Sequence, residues 1–151
     1  MHEQEIIYFS EALKLAKGDF FIDAVEKFKK LIEEFPNSDL ADDAMYNIAL
    51  SYFNMDQFEK AIEELKLLIG KYPNGTITAL DNTKEFGKTA AKAYYLIVNC
   101  YLGLGQLDKA KETLSKLGQY TDSYVEKNGK KITFDQLAKK SIEVYSSIKE
   151  K

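Results

Sequence analysis

The residues able to do chemistry in this sequence are few, and their spacing suits catalysis poorly. Histidine occurs once, as His2, at a terminus expected to fray. A Ser-His-Asp or Cys-His nucleophile therefore has no interior base, and a zinc site built from histidine and cysteine is short of ligands. Cysteine also occurs once. Cys100 falls in a helical stretch beside Asn99 and Tyr101, where a thiol packs as a small hydrophobe, and alone it closes no internal disulfide. The acid pairs Asp42-Asp43 and Glu63-Glu64 are chain neighbours, so their side chains diverge around a helix. They read as helix-dipole partners and solvated charge rather than as a general acid and base. Gly103-Leu104-Gly105 lacks the third glycine, the preceding strand and the following acid of a dinucleotide loop, and reads as a turn between helices. Asn74-Gly75-Thr76 has the form of a glycosylation acceptor but the composition of a turn. Enzyme is thus the weakest function class, and no metal or cofactor is expected.

Composition narrows the remaining classes. The chain has 151 residues, 45% of them hydrophobic and 30% charged, which suits one globular domain able to bury a core without disulfides. All 21 basic residues are lysines, so bidentate arginine forks for phosphate or carboxylate are absent. With a net charge of -3 and lysines interspersed among 24 acids, no basic stripe exists to follow a nucleic acid backbone. No apolar run reaches 18 residues, so no membrane span is expected. The opening Met1-His2-Glu3-Gln4-Glu5 lacks the basic and apolar regions of a signal peptide. The chain is read either as cytosolic or as a domain from which a leader was removed, and one thiol fits both compartments.

Apolar residues recur at helical spacing almost throughout, and strand-like alternation is hard to find, which predicts an all-α fold. The expected helices run from about Glu3 to Lys17, Phe21 to Glu34, Ser38 to Asn54, Asp56 to Gly70, Asn82 to Gly103, Leu107 to Leu117, and Thr133 to Ile148. Asp19, Asp56 with Glu59, Asn82 with Glu85, and Thr133 with Gln136 are the candidate caps. Asn128-Gly129 predicts a turn, and the stretch from Thr121 to Lys131 stays ambiguous. Joints of three or four residues make the paired helices antiparallel neighbours.

The resulting hairpins repeat. Tyr8, Glu11, Ala12 and Leu15 are followed by Ala24, Phe28 and Pro36; Met45, Ile48, Ala49 and Tyr52 by Ala61, Leu65 and Pro73; Tyr94, Ile97, Val98 and Tyr101 by Ala110 and Leu114. This pattern resembles the tetratricopeptide repeat (TPR), with its small residue and aromatic on the first helix and Ala-x3-Phe on the second. Small residues at Ala12 with Ala24, and at Ala49 with Ala61, allow close helix approach. Hairpin starts lie 37 and then 49 residues apart, against about 34 for the family, so the surplus sits between hairpins. Val98 and the missing third proline predict less typical packing of the third unit, and Glu11 suits an exposed outer edge. The resemblance implies a right-handed α-solenoid of three hairpins, about 3–36, 38–73 and 82–118, with a loop and capping helix over 119–151.

The stretches Phe35-Pro36-Asn37-Ser38-Asp39-Leu40-Ala41-Asp42-Asp43-Ala44-Met45-Tyr46 and Lys71-Tyr72-Pro73-Asn74 are similar to the lengthened repeats of bacterial envelope proteins, such as the Tol-Pal accessory protein and the barrel-assembly lipoprotein. That likeness implies a periplasmic scaffold binding other proteins. In TPR solenoids the first helices line a concave groove, which here places Phe9 and Leu13, then Tyr46, Leu50 and Phe53, then Lys92, Tyr95 and Asn99 on the binding face. These positions add a second apolar stripe beside the core stripe, a face that must be covered either by the chain's own segment after Gly118 or by a partner peptide or helix. Chaperone-type repeats that grip a terminal carboxylate use lysine, asparagine and arginine at five places; Asn47 and Lys92 match two, while Phe9, Leu13 and Leu96 hold the others. The expected function is a non-enzymatic protein-binding scaffold. A cytoplasmic secretion chaperone and a self-associating module are the alternatives.

Overall fold

The computed structural model describes residues 2–78 and 84–149. Six helices form three successive hairpins: α1 (Glu3–Lys17) with α2 (Phe21–Glu34), α3 (Ala41–Asn54) with α4 (Phe58–Lys71), and α5 (Thr89–Gly103) with α6 (Leu107–Leu114). Each hairpin packs on the next through α2 against α3 and α4 against α5. The final helix, α7 (Phe134–Lys149), lies on α5 and α6. The expected all-α solenoid with a terminal capping helix is the architecture found.

The three hairpin turns are built alike. Asp19, Asp56 and Gly105 take left-handed backbone, with φ of 66°, 59° and 74°. The N–H of the next residue then donates back to the carbonyl of Leu15, Tyr52 or Tyr101 at 2.9, 2.8 and 2.8 Å. This is the Schellman closure, which satisfies carbonyls that the helix end leaves free. Asp19 and Asp56 are therefore C-terminal turn residues rather than the N-caps expected of them; Phe20 and Gln57 precede α2 and α4, and neither caps through its side chain. Near the chain start, the His2 N–H donates to Glu5 Oε2 at 2.6 Å and the ring lies 5.9 Å from Phe35, so His2 is held rather than frayed.

The repeated small residues do what their size dictates. Ala12, Ala24, Ala49, Ala61, Val98 and Ala110 are all fully buried, with Phe28 and Leu65 filling space around the close contacts. Glu11 stays exposed and pairs with Lys27 at 3.2 Å, as an outer edge allows. The third hairpin departs from the others: α6 has only eight residues, ending before the expected Leu117. A 3-10 turn (Leu117–Gln119) follows, and Leu117, Phe134, Ala138 and Ile142 complete the core beside Val98 and Ala110.

The largest difference from expectation is a small antiparallel sheet of β1 (Glu85–Phe86), β2 (Tyr124–Lys127) and β3 (Lys130–Thr133) in that order. Val125 faces both Glu85 and Ile132 in register, and Asn128-Gly129 forms the turn with φ of 52° and 77°. Two positive values are what a two-residue hairpin turn of this hand requires, and Asn-Gly supplies them at least cost. Glu85 is thus a strand residue, not the first-turn partner of a cap, and α5 begins at Thr89; Asn82 lies outside the described residues. The Thr133–Gln136 capping box is present in both directions, at 3.0 and 3.2 Å. Thr133→Ala is expected to cost about 1 kcal/mol, read as a lower midpoint in urea with an unchanged slope.

Candidate functional site

The inward helices α1, α3 and α5 carry the eight residues expected to line a groove, and the structure divides them. Phe9 is 3% exposed and packs edge-on against Phe28 at 5.6 Å, so it belongs to the core of the first hairpin. Tyr46 is 7% exposed. Its phenol is pushed above its ordinary pKa by burial, with Glu85 acting in the same direction. The Lys92 Nζ sits 4.1 Å above its ring and also pairs with Glu85 at 3.1 Å. Leu13, Leu50, Phe53, Tyr95 and Asn99 are half-buried. Leu13 lines the first core cluster, Leu50 and Phe53 the second, and Phe53 meets Phe58 edge-on at 5.4 Å. Tyr95 lies 6.0 Å from Phe134, and the Asn99 amide donates to the Tyr95 carbonyl at 3.2 Å.

Two segments of the chain itself therefore cover part of the inward face. The insertion between the second and third hairpins brings Glu85 over Lys92 and Tyr46. The C-terminal hairpin and α7 cover the third hairpin, where Tyr95 and Leu102 pack against the cluster holding Phe134, Ala138 and Ile142. Apolar surface remains partly open at Leu13, Leu50 and Phe53, with Ile6 39% exposed at one end. The carboxylate-gripping arrangement is not assembled. Asn47 donates to its own helix at the Asp43 carbonyl, 2.9 Å away, Lys92 is engaged by Glu85, and Leu96 is buried at 4% exposure.

The insertion is anchored by acids that the sequence reading takes for solvated charge. Asp42 and Asp43 are only 4% and 5% exposed. The Thr89 hydroxyl donates to Asp42 Oδ2 at 2.5 Å, and the Thr78 N–H donates to Asp43 Oδ1 at 3.0 Å. Asp43 Oδ2 has no hydrogen-bond partner among the described residues. Desolvation and then the neighbouring Asp42 charge raise the Asp43 pKa to about 7, and desolvation raises that of Asp42 as well. Both acids still sit in the first turn of α3, as the dipole reading requires. What the sequence does not signal is the return of Thr78 and Thr89 onto them from a distant part of the chain. Cys100 is fully buried, its thiol pKa pushed up to about 12 by desolvation, which suits the packing role expected of it.

Comparison with known proteins places the fold. Residues 43–75 and residues 91–120 each match a family model described as tetratricopeptide repeat. No curated protein sequence matches the chain. Among solved structures, the first TPR of Spaghetti (RPAP3) bound to the HSP90 peptide SRMEEVD is 16% identical with a TM-score of 0.64, covering 97% of this chain and 94% of that one. The Hsp90 co-chaperone Cns1 from Saccharomyces cerevisiae is also 16% identical, with a TM-score of 0.66 over 99% of this chain but 41% of the yeast protein. The Sgt2 TPR domain from Aspergillus fumigatus is 15% identical with a TM-score of 0.66, covering 97% and 81%. At these identities the likeness is one of fold.

Proposed function

We propose that the chain is a non-enzymatic scaffold that takes an apolar segment of a protein partner, extended or helical, along the open part of its inward face. The observation that carries this reading is that Leu13 on α1 and Leu50 and Phe53 on α3, each packed at the edge of a core cluster, are only half-buried. The structural similarity to a TPR domain bound to an HSP90 peptide supports a peptide-binding use of this fold. The residues at the clamp positions favour an apolar ligand over a terminal carboxylate. The lengthened-repeat resemblance of residues 35–46 and 71–74 supports a place in bacterial envelope assembly. A leader or lipid-attachment cysteine encoded upstream of Met1 in the native gene is the observation that tests it.

The binding surface is tested by selecting peptides from a displayed library on the intact chain and measuring their affinity by fluorescence anisotropy. Leu13→Glu and Leu50→Glu are each expected to weaken selected apolar peptides at least tenfold while the helical circular-dichroism signal persists. The peptide SRMEEVD is expected to show no binding that depends on its free C-terminal carboxylate. Selected peptides that bind both variants as well as the parent, or carboxylate-dependent capture of SRMEEVD at micromolar concentration, contradict the apolar groove.

A further inference from the structure

A second cleft lies between α4 and α6, on the side of α5 opposite Tyr95 and Asn99. Its floor is apolar and aromatic, formed by Ile69, Tyr94 and Tyr101, and its volume is about 380 Å³. Lys66, Lys109 and Lys116 stand at the rim, all exposed, and none takes part in an ion pair among the described residues. The Lys109 and Lys116 ammonium groups each lie 5.9 Å from the ring centres of Tyr101 and Tyr94.

The repeat supplies an internal control. In the hairpin alignment, Lys66 and Lys109 correspond to Lys29 and Lys60 of the preceding interval between α2 and α4. There the remaining charged and rim places hold Glu63, Glu64 and Leu67, so two lysines are matched in number by two glutamates. In the cleft, Glu112 keeps the first glutamate, Thr113 replaces the second, and Lys116 replaces the leucine. Across the aligned positions the charge has thus changed from balanced to an excess of two positive charges, in a chain whose net charge is -3. Tyr94 also replaces Met45, which widens the aromatic floor.

We propose that this cleft binds an acidic peptide segment bearing one bulky apolar side chain. The side chain lies on the floor of Tyr94 and Tyr101, and flanking carboxylates meet the three rim lysines. Lysines on flexible stems suit carboxylates spaced along a peptide, whereas the lack of arginine removes the fork geometry that favours a compact phosphate. The site is separate from the inward face, and its ligand differs in charge.

The test uses the intact chain and a labelled decapeptide with six acidic residues around a single phenylalanine, read by fluorescence anisotropy at low salt. Lys109→Glu with Lys116→Glu is expected to weaken binding at least tenfold, whereas Lys29→Glu with Lys60→Glu, in the balanced interval, changes it less than twofold. Replacing the phenylalanine by serine is expected to cost at least fivefold, and amide shifts should cluster at Tyr94, Tyr101 and Thr113. Lys29, Lys60 and Lys109 lie on exposed helix positions and Lys116 in the exposed turn after α6, and circular dichroism verifies the fold. Absence of binding, equal losses in both double variants, indifference to the phenylalanine, or displacement of the peptide by ATP at a lower concentration than by unlabelled peptide each overturns the proposal.

Discussion

Gly87→Ala is expected to destabilise the chain by about 3 kcal/mol, the largest effect expected of alanine at any glycine of the chain. Gly87 has φ of 106°, a region L side chains rarely enter. A Cβ there would stand 2.5 Å from the Ser123 Cα, which is backbone and cannot rotate away. Ser123 is itself fully buried, and its hydroxyl oxygen accepts the Lys88 N–H at 2.9 Å. The methyl group thus separates the insertion from the segment entering β2. Thermal melting should show a fall of about 6–12 °C for a domain of this size. Hydrogen exchange should locate the damage at the Ile77 and Glu126 amides, which donate to Gly87 and Lys84 across this junction. A variant within 0.5 kcal/mol of the parent, with those amides still protected, contradicts the packing described here.

Asp43→Asn is expected to remove most of a pH-dependent weakness and to leave the protein more stable than the parent above pH 8. The Asp43 pKa rises from an ordinary 3.8 to about 7 on folding. The folded chain therefore holds a proton that the unfolded chain releases, so stability is full below about pH 4 and is lost as pH rises toward 7. A shift of that size corresponds to at most about 4 kcal/mol, and relaxation around the pair leaves an expected loss of about 2–3 kcal/mol. Asparagine keeps an oxygen for the Thr78 N–H and carries no charge, whereas Asp42 still titrates with a raised pKa and leaves a smaller slope. Urea unfolding at pH 4 and pH 8.5 measures this directly. The variant and parent should be close at pH 4, where the unfolded carboxyl is still largely protonated, and separate at pH 8.5; parallel curves exclude a buried, poorly neutralised Asp43.

Much of the helical frame was legible because helix, turn and packing signals coincide in the same short windows. Ala12 with Ala24 and Ala49 with Ala61 announce close helix pairs, and the left-handed turns at Asp19, Asp56 and Gly105 fall where hairpins must reverse. The assignment of the two aspartates as N-caps failed because asparagine-like tolerance of left-handed backbone and N-capping ability belong to the same residue type. The sheet was harder. Asn128-Gly129 marks a hairpin turn between Val125 and Ile132, yet its strands have four residues each, and β1 pairs with β2 across about 40 residues of chain. No local period encodes such a pairing.

The same physics explains what was missed at the inward face. Alignment gives the direction of a side chain on its helix, and Leu13, Leu50 and Phe53, expected on the groove, are half-buried. It does not give what folds over them. Tyr46 and Tyr95 point inward as well, but Glu85, paired with the Lys92 of α5 that lies over Tyr46, and Phe134 of α7 reach them from segments that lie outside the repeat. Phe9 is drawn into the core by Phe28. The open surface is consequently shorter than three hairpins imply and is concentrated on the first two.

Methyl-resolved NMR of the chain, titrated with a library-selected apolar peptide, tests that surface most directly. Saturable shifts at the Leu13 and Leu50 methyls, with intermolecular contacts to Phe53 and little change at Leu117 or Ile142, are the predicted result. Saturable peptide binding that leaves Leu13 and Leu50 unmoved while shifting residues of α7 or the sheet contradicts a docking site on the first two inward helices.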